Sequence, residues 1–181
     1  MRKSTLSTSL VLAFCLHTGT AAAGAGNVLA GDIVTGLFPV AAFSVAYFKD
    51  DSEGEKQWLR TTLVSEVVNT TLRVAFNQTS WGERPNGGQY GFPSGHAGFV
   101  FSQAAFLQER YGWKYGVPAL TLATAVSYIR VREDKHRWRD VIVGGAVSYG
   151  VAMLFTTPEN ASHLAPIIGP DFLGLRWERS F

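Results

Sequence analysis

Apolar segments of helical length follow one another through most of the chain, and they limit the folds it can adopt. Five of them are predicted to form helices: Asp32 to Phe48, Trp58 to Phe76, Ala97 to Tyr111, Tyr115 to Val131 and Arg139 to Phe155. In the second, apolar residues recur at the spacing of an amphipathic helix that buries one face. Because no alternating strand pattern persists, the sequence predicts an all-α fold, a compact bundle of about five to six helices.

The composition lies between that of soluble and membrane proteins. Of 181 residues, 46% are hydrophobic and 17% are charged, and this length suits one domain. The uninterrupted apolar runs are shorter than the roughly 20 residues that cross a bilayer, which favours a compact domain over one with several spans. Contact of aromatic-rich helices with lipid stays open. The net charge of +2 and the absence of a basic run with interleaved aromatics argue against a nucleic-acid partner.

The first 23 residues have the order of a secretory signal peptide. Arg2 and Lys3 precede an apolar stretch from Leu10 to Leu16, and small residues end at Ala23. We therefore expect residues 24–181 to form one domain in an extracytoplasmic location, most simply the periplasm. The alternative is an uncleaved membrane anchor. The only cysteine, Cys15, lies in this leader, so the remaining chain has no disulfide or thiolate metal ligand.

Polar residues flank the apolar segments at three places and suggest an anion site. In Pro93-Ser94-Gly95-His96, Ser94 can cap the helix that follows, and the free amides at a helix start, with Gly95 allowing close approach, bind anions. Arg84 stands before Pro85, in the loop between Asn77 and Phe92. Each feature also has an interpretation that involves no function: Ser94 as a helix cap and Arg84 as a solvated arginine in a loop.

The third cluster runs from Arg130 to Asp140. His136 and Asp140 are four positions apart, so they are either a surface pair on a helix or a histidine held by a carboxylate for chemistry. His163 lies in no such cluster and is interpreted as a structural or surface residue. Together the clusters supply arginine forks, hydroxyl and amide donors and two imidazoles, the set that phosphoryl transfer needs, without requiring a metal.

These motifs resemble those of the type 2 phosphatidic acid phosphatase superfamily, which includes bacterial acid phosphatases and vanadium haloperoxidases. Arg84-Pro85 matches the end of the family's first motif, Pro93 to His96 matches the second, and Arg130, His136 and Asp140 match the spacing of the third. The resemblance implies that His136 is the nucleophile, that Asp140 orients it and that His96 protonates the leaving oxygen. It implies that Arg84, Ser94, Gly95 and Arg130 bind phosphate.

Two positions depart from the family pattern. Asn77 stands where the family has a lysine, and Ile129 stands where it has a serine. Arg73 is the nearest upstream cation. We expect Arg73 to fill the lysine's place if the intervening loop carries an insertion.

The resemblance implies a metal-independent phosphomonoesterase that forms a phosphohistidine. The apolar helices and the aromatic residues Trp81, Tyr90 and Phe92 near the motifs favour a lipid phosphate of the phosphatidic acid or lipid A type as its substrate. Alternatives are a soluble acid phosphatase acting on small phosphate esters and a haloperoxidase using vanadate as its cofactor. A non-catalytic envelope protein is a further alternative, against which both histidines argue. No cofactor is expected for a phosphatase, and nothing in the sequence sets the oligomeric state.

Overall fold

The computed structural model describes residues 25–159, 162–169 and 172–179, and its main part is a bundle of five helices. They are α1 (Ala25–Phe48), α2 (Ser52–Phe76), α3 (Gly95–Tyr111), α4 (Trp113–Arg132) and α5 (Trp138–Phe155). The predicted all-α class is therefore confirmed, and each predicted helix is present with an earlier start. The leader segment 1–23 lies outside the described residues and stays a prediction.

Helix α3 is the centre of the bundle and contacts each of the other four helices. Its inward residues Val100, Ala104 and Phe106 are fully buried. Small residues on facing helices, such as Ala42 on α1 and Ala123 on α4, are also fully buried and let the helices approach closely. The N-terminus of α3 is consequently held among its neighbours, at the end of the bundle where the sequence motifs lie.

The orientation of α2 is the reverse of that expected for an amphipathic helix in water. Its buried face is polar and includes Thr61, Ser65 and Asn69, each fully buried. Its apolar residues point outward, with Leu63 56% exposed and Val67 65% exposed. The spacing of apolar residues correctly indicated a two-faced helix, but the apolar face does not pack on the core. A large outward apolar face is typical of a surface that contacts lipid or another protein.

Helix α1 combines apolar character with little burial. The stretch Gly26–Phe48 has a mean hydropathy of 1.8, and 17% of its most apolar window is buried inside the protein. Within the described residues it is the one helix long and apolar enough to cross a membrane. Leu37 and Phe48 on this helix are 61% and 70% exposed.

A short hairpin follows the helices. Strands β1 (Ser162–Gly169) and β2 (Phe172–Arg179) pair antiparallel, with Ser162 opposite Arg179 and Gly169 opposite Phe172. The sequence analysis found no strands here, because Pro166 within β1 argues against a strand and the apolar residues do not alternate. The backbone of His163 pairs with Glu178, and its side chain is outside the description.

Candidate active site

The predicted site residues come together at one end of the bundle. Gly95 and His96 form the first turn of α3, Arg130 lies in the last turn of α4, and His136 lies in the short connection before α5. Arg84 lies in the loop between α2 and α3, where it contributes to the electrostatic environment of His96 and His136. The expectation of a site at helix ends and loops thus agrees with where the structure places these residues.

Ser94 fixes the start of α3 against α5. Its buried hydroxyl accepts a hydrogen bond from the Ala97 amide at 3.4 Å, which makes Ser94 the N-cap. Its own amide donates to the backbone carbonyl of Asp140 at 2.9 Å. Gly144 makes this contact possible, because a Cβ atom there would lie 2.6 Å from the Ser94 carbonyl oxygen. The amides at the start of α3 are therefore held in place by α5.

His136 is buried and has a defined tautomer. Its side chain is 2% exposed, and Nδ1 lies 2.8 Å from the carbonyl oxygen of Gly91. Because a carbonyl oxygen only accepts hydrogen bonds, Nδ1 must carry the proton in this contact. The lone pair of a neutral His136 then lies on Nε2, where a nucleophile needs it.

Asp140 has a structural contact that the sequence does not reveal. Its buried carboxylate accepts a hydrogen bond from the Arg137 amide at 2.7 Å, as a cap of α5. The distance from its Oδ2 to Nδ1 of His136 is 3.9 Å, too long for a hydrogen bond. The Gly91 carbonyl therefore makes the orienting hydrogen bond that the family resemblance assigned to Asp140. An electrostatic effect of Asp140 on His136 stays a prediction.

The surroundings of His136 favour its neutral form. Burial lowers its pKa to about 4, and the charges of Arg84 and Arg130 act in the same direction, whereas the hydrogen bond to the Gly91 carbonyl opposes them. The imidazole is consequently a free base at neutral pH. A neutral imidazole is the form that can attack phosphorus.

Arg73 joins the site from α2. A Cβ atom on Gly95 would lie 2.7 Å from Nη1 of Arg73, so the guanidinium rests on the start of α3. Burial and the charges of Arg130 and Arg73 lower the pKa of Arg84. The Nε atoms of all three arginines are buried and donate to no acceptor in the described part of the chain. Such a cluster of like charges with unused donors fits an oxyanion, which would neutralise them and accept their hydrogen bonds.

Asp32 of α1 is a site residue that the sequence analysis missed. Its Oδ1 atom lies 2.9 Å from Nε2 of His96 and 2.8 Å from Nη1 of Arg130. A usable signal was present, because Asp32 is the one charged residue in the helix Ala25–Phe48. An ionisable residue in so apolar a helix requires a partner or a function.

The aromatic residues beside the site pack mainly on one another. Phe92 is 4% exposed, and its ring lies 5.1 Å from that of Phe76 and 4.8 Å from that of Trp81. Arg139 stacks on Trp81 at 4.7 Å. Tyr90 is more exposed, at 46%. This cluster holds the loop that carries Arg84 and Gly91.

Within the described residues no three His, Cys, Asp or Glu side chains form a metal site.

Three arginines and two histidines meet at one end of the helical bundle, a set of charges and donors that suits a tetrahedral oxyanion. The chain matches the PAP2 superfamily over residues 13–162 and belongs to it, so the family indicated by the motifs is confirmed. It is a phosphatase, and the interpretation as a non-catalytic protein is set aside. The match begins inside the segment that we interpret as a leader, and the boundary at residue 23 stays a prediction.

Two proteins with similar sequences are named as lipid A phosphatases. The chain is 33% identical to a lipid A 4'-phosphatase of Helicobacter pylori over 80% of its own length and 77% of the relative's. It is 34% identical to a lipid A 1-phosphatase of the same species, over 68% of its length and 58% of the relative's. The chain thus spans less than two thirds of the second relative. No solved structure matches.

Proposed function

We propose that this protein removes a phosphate group from a phosphorylated lipid outside the cytoplasm, without a metal or other cofactor, through a phosphohistidine on His136. The observation that carries the proposal is the meeting of a neutral, correctly protonated His136 with three arginines and His96. The chemistry of a phosphate monoester matches this set, because its charge is spread over oxygens that the arginines and the α3 amides can bind.

In the first step, the Nε2 lone pair of His136 attacks phosphorus, and the bond from phosphorus to the leaving oxygen breaks. His96 gives its proton to that oxygen, which departs as an alcohol. Water then attacks the phosphohistidine while His96 takes a proton from the water, and inorganic phosphate leaves. His136 returns to its neutral form, so atoms and protons balance over the cycle.

We assign phosphate binding to Arg84, Arg130, Ser94, the Gly95 amide and Arg73. Arg73 takes the role of the lysine that the family pattern places at Asn77. The contact between its guanidinium and Gly95 supports this assignment. A guanidinium also presents a planar fork of donors, so it can replace an ammonium group as a phosphate ligand.

A lipid substrate is supported by the relatives and by the surface of the bundle. Both relatives are named as lipid A phosphatases. Outward apolar residues are found on α1, α2, α4 and α5, among them Leu37, Val67, Val117 and Leu154, which are 61%, 65%, 56% and 80% exposed. Helix α2 buries its polar face and exposes its apolar face, which is expected of a helix whose outer face contacts lipid. Membrane contact would bring the site to a phosphorylated headgroup at the surface.

The test is phosphate release in EDTA by the purified protein in detergent or vesicles, from lipid A, phosphatidic acid and 4-nitrophenyl phosphate. We expect release that His136→Ala abolishes, a preference for the lipids, and a transient phosphoryl group on the His136 peptide in rapidly quenched samples. Equal turnover of the small ester and the lipids would favour the soluble acid phosphatase alternative. Release from His136→Ala at the normal rate would overturn the mechanism.

Two further measurements separate the remaining alternatives. Vanadate should inhibit phosphate release without supporting halide oxidation, whereas a haloperoxidase would oxidise halide with vanadate and peroxide. Extraction of membranes with alkaline carbonate should leave the protein in the membrane fraction if α1 spans the bilayer.

A further inference from the structure

A carboxylate in direct contact with the proton donor and a phosphate-binding arginine is unexpected in a site for anions. Asp32 should repel a phosphate, and it is the one charged residue in an otherwise apolar helix. Its two contacts, with His96 and Arg130, lie within the site itself.

We propose that Asp32 is a positioning residue that holds His96 through Nε2, so that Nδ1 is the atom that protonates the leaving oxygen. This inference rests on the proposed function. The carboxylate oxygen accepts a hydrogen bond from Nε2 at 2.9 Å, which fixes the ring and places the transferable proton on the other nitrogen. Nδ1 of His96 makes no hydrogen bond to any described residue, so it is available to a substrate.

The surroundings of His96 favour loss of its proton, and a nearby carboxylate opposes that loss. Burial lowers the pKa of His96, and the charges of Arg130 and Arg84 lower it further, whereas Asp32 raises it. Arg73 adds another positive charge beside Gly95. A general acid must hold its proton until the leaving oxygen needs it. Asp32 is the carboxylate that opposes this loss among the described residues, and it also ties α1 to α3 and α4.

The experiment compares two substrates that differ in their need for an acid. A long-chain alkyl phosphate has a strongly basic leaving oxygen, whereas 4-nitrophenyl phosphate has a weakly basic one. General acid catalysis contributes about 10²- to 10⁴-fold to rates, so we expect Asp32→Asn to lower kcat/KM on the alkyl phosphate roughly ten- to a hundredfold. The loss on the nitrophenyl ester should be less than about threefold.

Further variants separate positioning from a structural effect. His96→Ala should show the same dependence on the leaving group, and the double variant should lose no more than His96→Ala alone. Asp32→Glu should restore part of the rate. In Asp32→Asn the basic limb of the pH profile should move to lower pH. Asn27→Ala is the matched control on the same helix, because it removes a hydrogen bond of α1 to Glu133 instead of one to His96 or Arg130.

Two outcomes would overturn the inference while leaving the proposed function intact. Equal losses on both substrates would show that Asp32 only stabilises the fold. A lower KM with unchanged kcat on both would show that Asp32 merely competes with phosphate for Arg130. Failure of the proposed function is distinct, since the unmodified protein would then release no phosphate or His136→Ala would remain active.

Discussion

Nδ1 of His136 donates a hydrogen bond to the backbone carbonyl of Gly91 across 2.8 Å. Gly91 belongs to the loop before α3, and its amide is fixed by the carbonyl of Gly82 at 2.7 Å. The His136 ring is thus oriented by the backbone, and no side-chain substitution at Gly91 removes this contact directly. The contact sets the tautomer that leaves Nε2 free, and it ties the reactivity of His136 to the order of this loop.

The first prediction concerns the protonation of His136. Burial, with Arg84 and Arg130, lowers its pKa to about 4, so the folded protein should keep this imidazole neutral down to that pH. An unfolded histidine has a pKa near 6.5. The stabilising contribution of neutral His136 is therefore complete above about pH 6.5 and is lost as the pH falls towards 4.

NMR titration of histidine-labelled protein checks this prediction, with His136 assigned from the signal that His136→Ala removes. A midpoint near pH 4 would agree with the buried environment. A midpoint at or above 6.5 would mean that water or a carboxylate reaches the ring, and the assignment of a neutral nucleophile would fail.

The second prediction concerns Arg73. Arg73→Ala should raise KM for a phosphate ester and lower kcat/KM by roughly tenfold or more, since a charge-assisted hydrogen bond contributes about 1.5 to 3 kcal/mol. Arg73→Lys should retain part of the activity, because lysine occupies the corresponding place in the family pattern. Arg60→Ala is the control on the same helix, because its side chain pairs with Glu53 at 3.7 Å and has no contact with the site. Normal kinetics in Arg73→Ala would remove Arg73 from the site.

The third prediction uses two glycines of α5. A Cβ atom at Gly144 would lie 2.6 Å from the Ser94 carbonyl, which is backbone and cannot turn away, whereas a Cβ at Gly150 meets nothing within 4 Å. Gly144→Ala should therefore push α5 from the start of α3, lowering both the thermal midpoint and kcat. Gly150→Ala should be neutral or stabilise the helix by up to about 1 kcal/mol. Comparable melting curves for the two variants would contradict the close packing at Gly144.

The sequence was most informative where a residue type carries its own chemistry. His96, His136 and Arg130 were found from their motifs, and the structure places them together. The helices were found from apolar segments, because hydrophobic clustering persists whichever way a helix faces. The buried face of α2 could not be identified in this way, since amphipathic spacing marks two faces and does not say which one packs against the core.

The missed features are contacts between distant parts of the chain. Asp32 lies 64 positions before His96 and 98 before Arg130, and only folding brings the three together. The Gly91 carbonyl is a backbone group, so no residue type announces it. Arg73 was considered from its position in sequence alone, and its contact with Gly95 now supports its place in the site.

The last prediction concerns a buried ion pair at the opposite end of α3 from the site. Arg110 donates from Nε and Nη2 to the two oxygens of Asp51, at 2.7 and 2.6 Å, and their side chains are 7% and 9% exposed. Asp51 also caps α2 and accepts from the Tyr111 hydroxyl at 2.9 Å. Arg110→Ala should lower the free energy of unfolding by about 3 kcal/mol, because it leaves a buried carboxylate without its charge partner.

Lys56→Ala is the matched control for Arg110→Ala, since it breaks only an exposed pair with Glu53 at 3.7 Å and should change stability by less than about 0.5 kcal/mol. Unfolding is followed by helical circular dichroism in detergent, and kcat is measured below the unfolding transition. Because Arg110 is in the last turn of α3 and His96 is in the first, kcat of the folded variant should equal that of the unmodified protein. A fall in kcat without a loss of stability would show that the two ends of α3 are coupled, and that the site depends on more than its own shell of arginines.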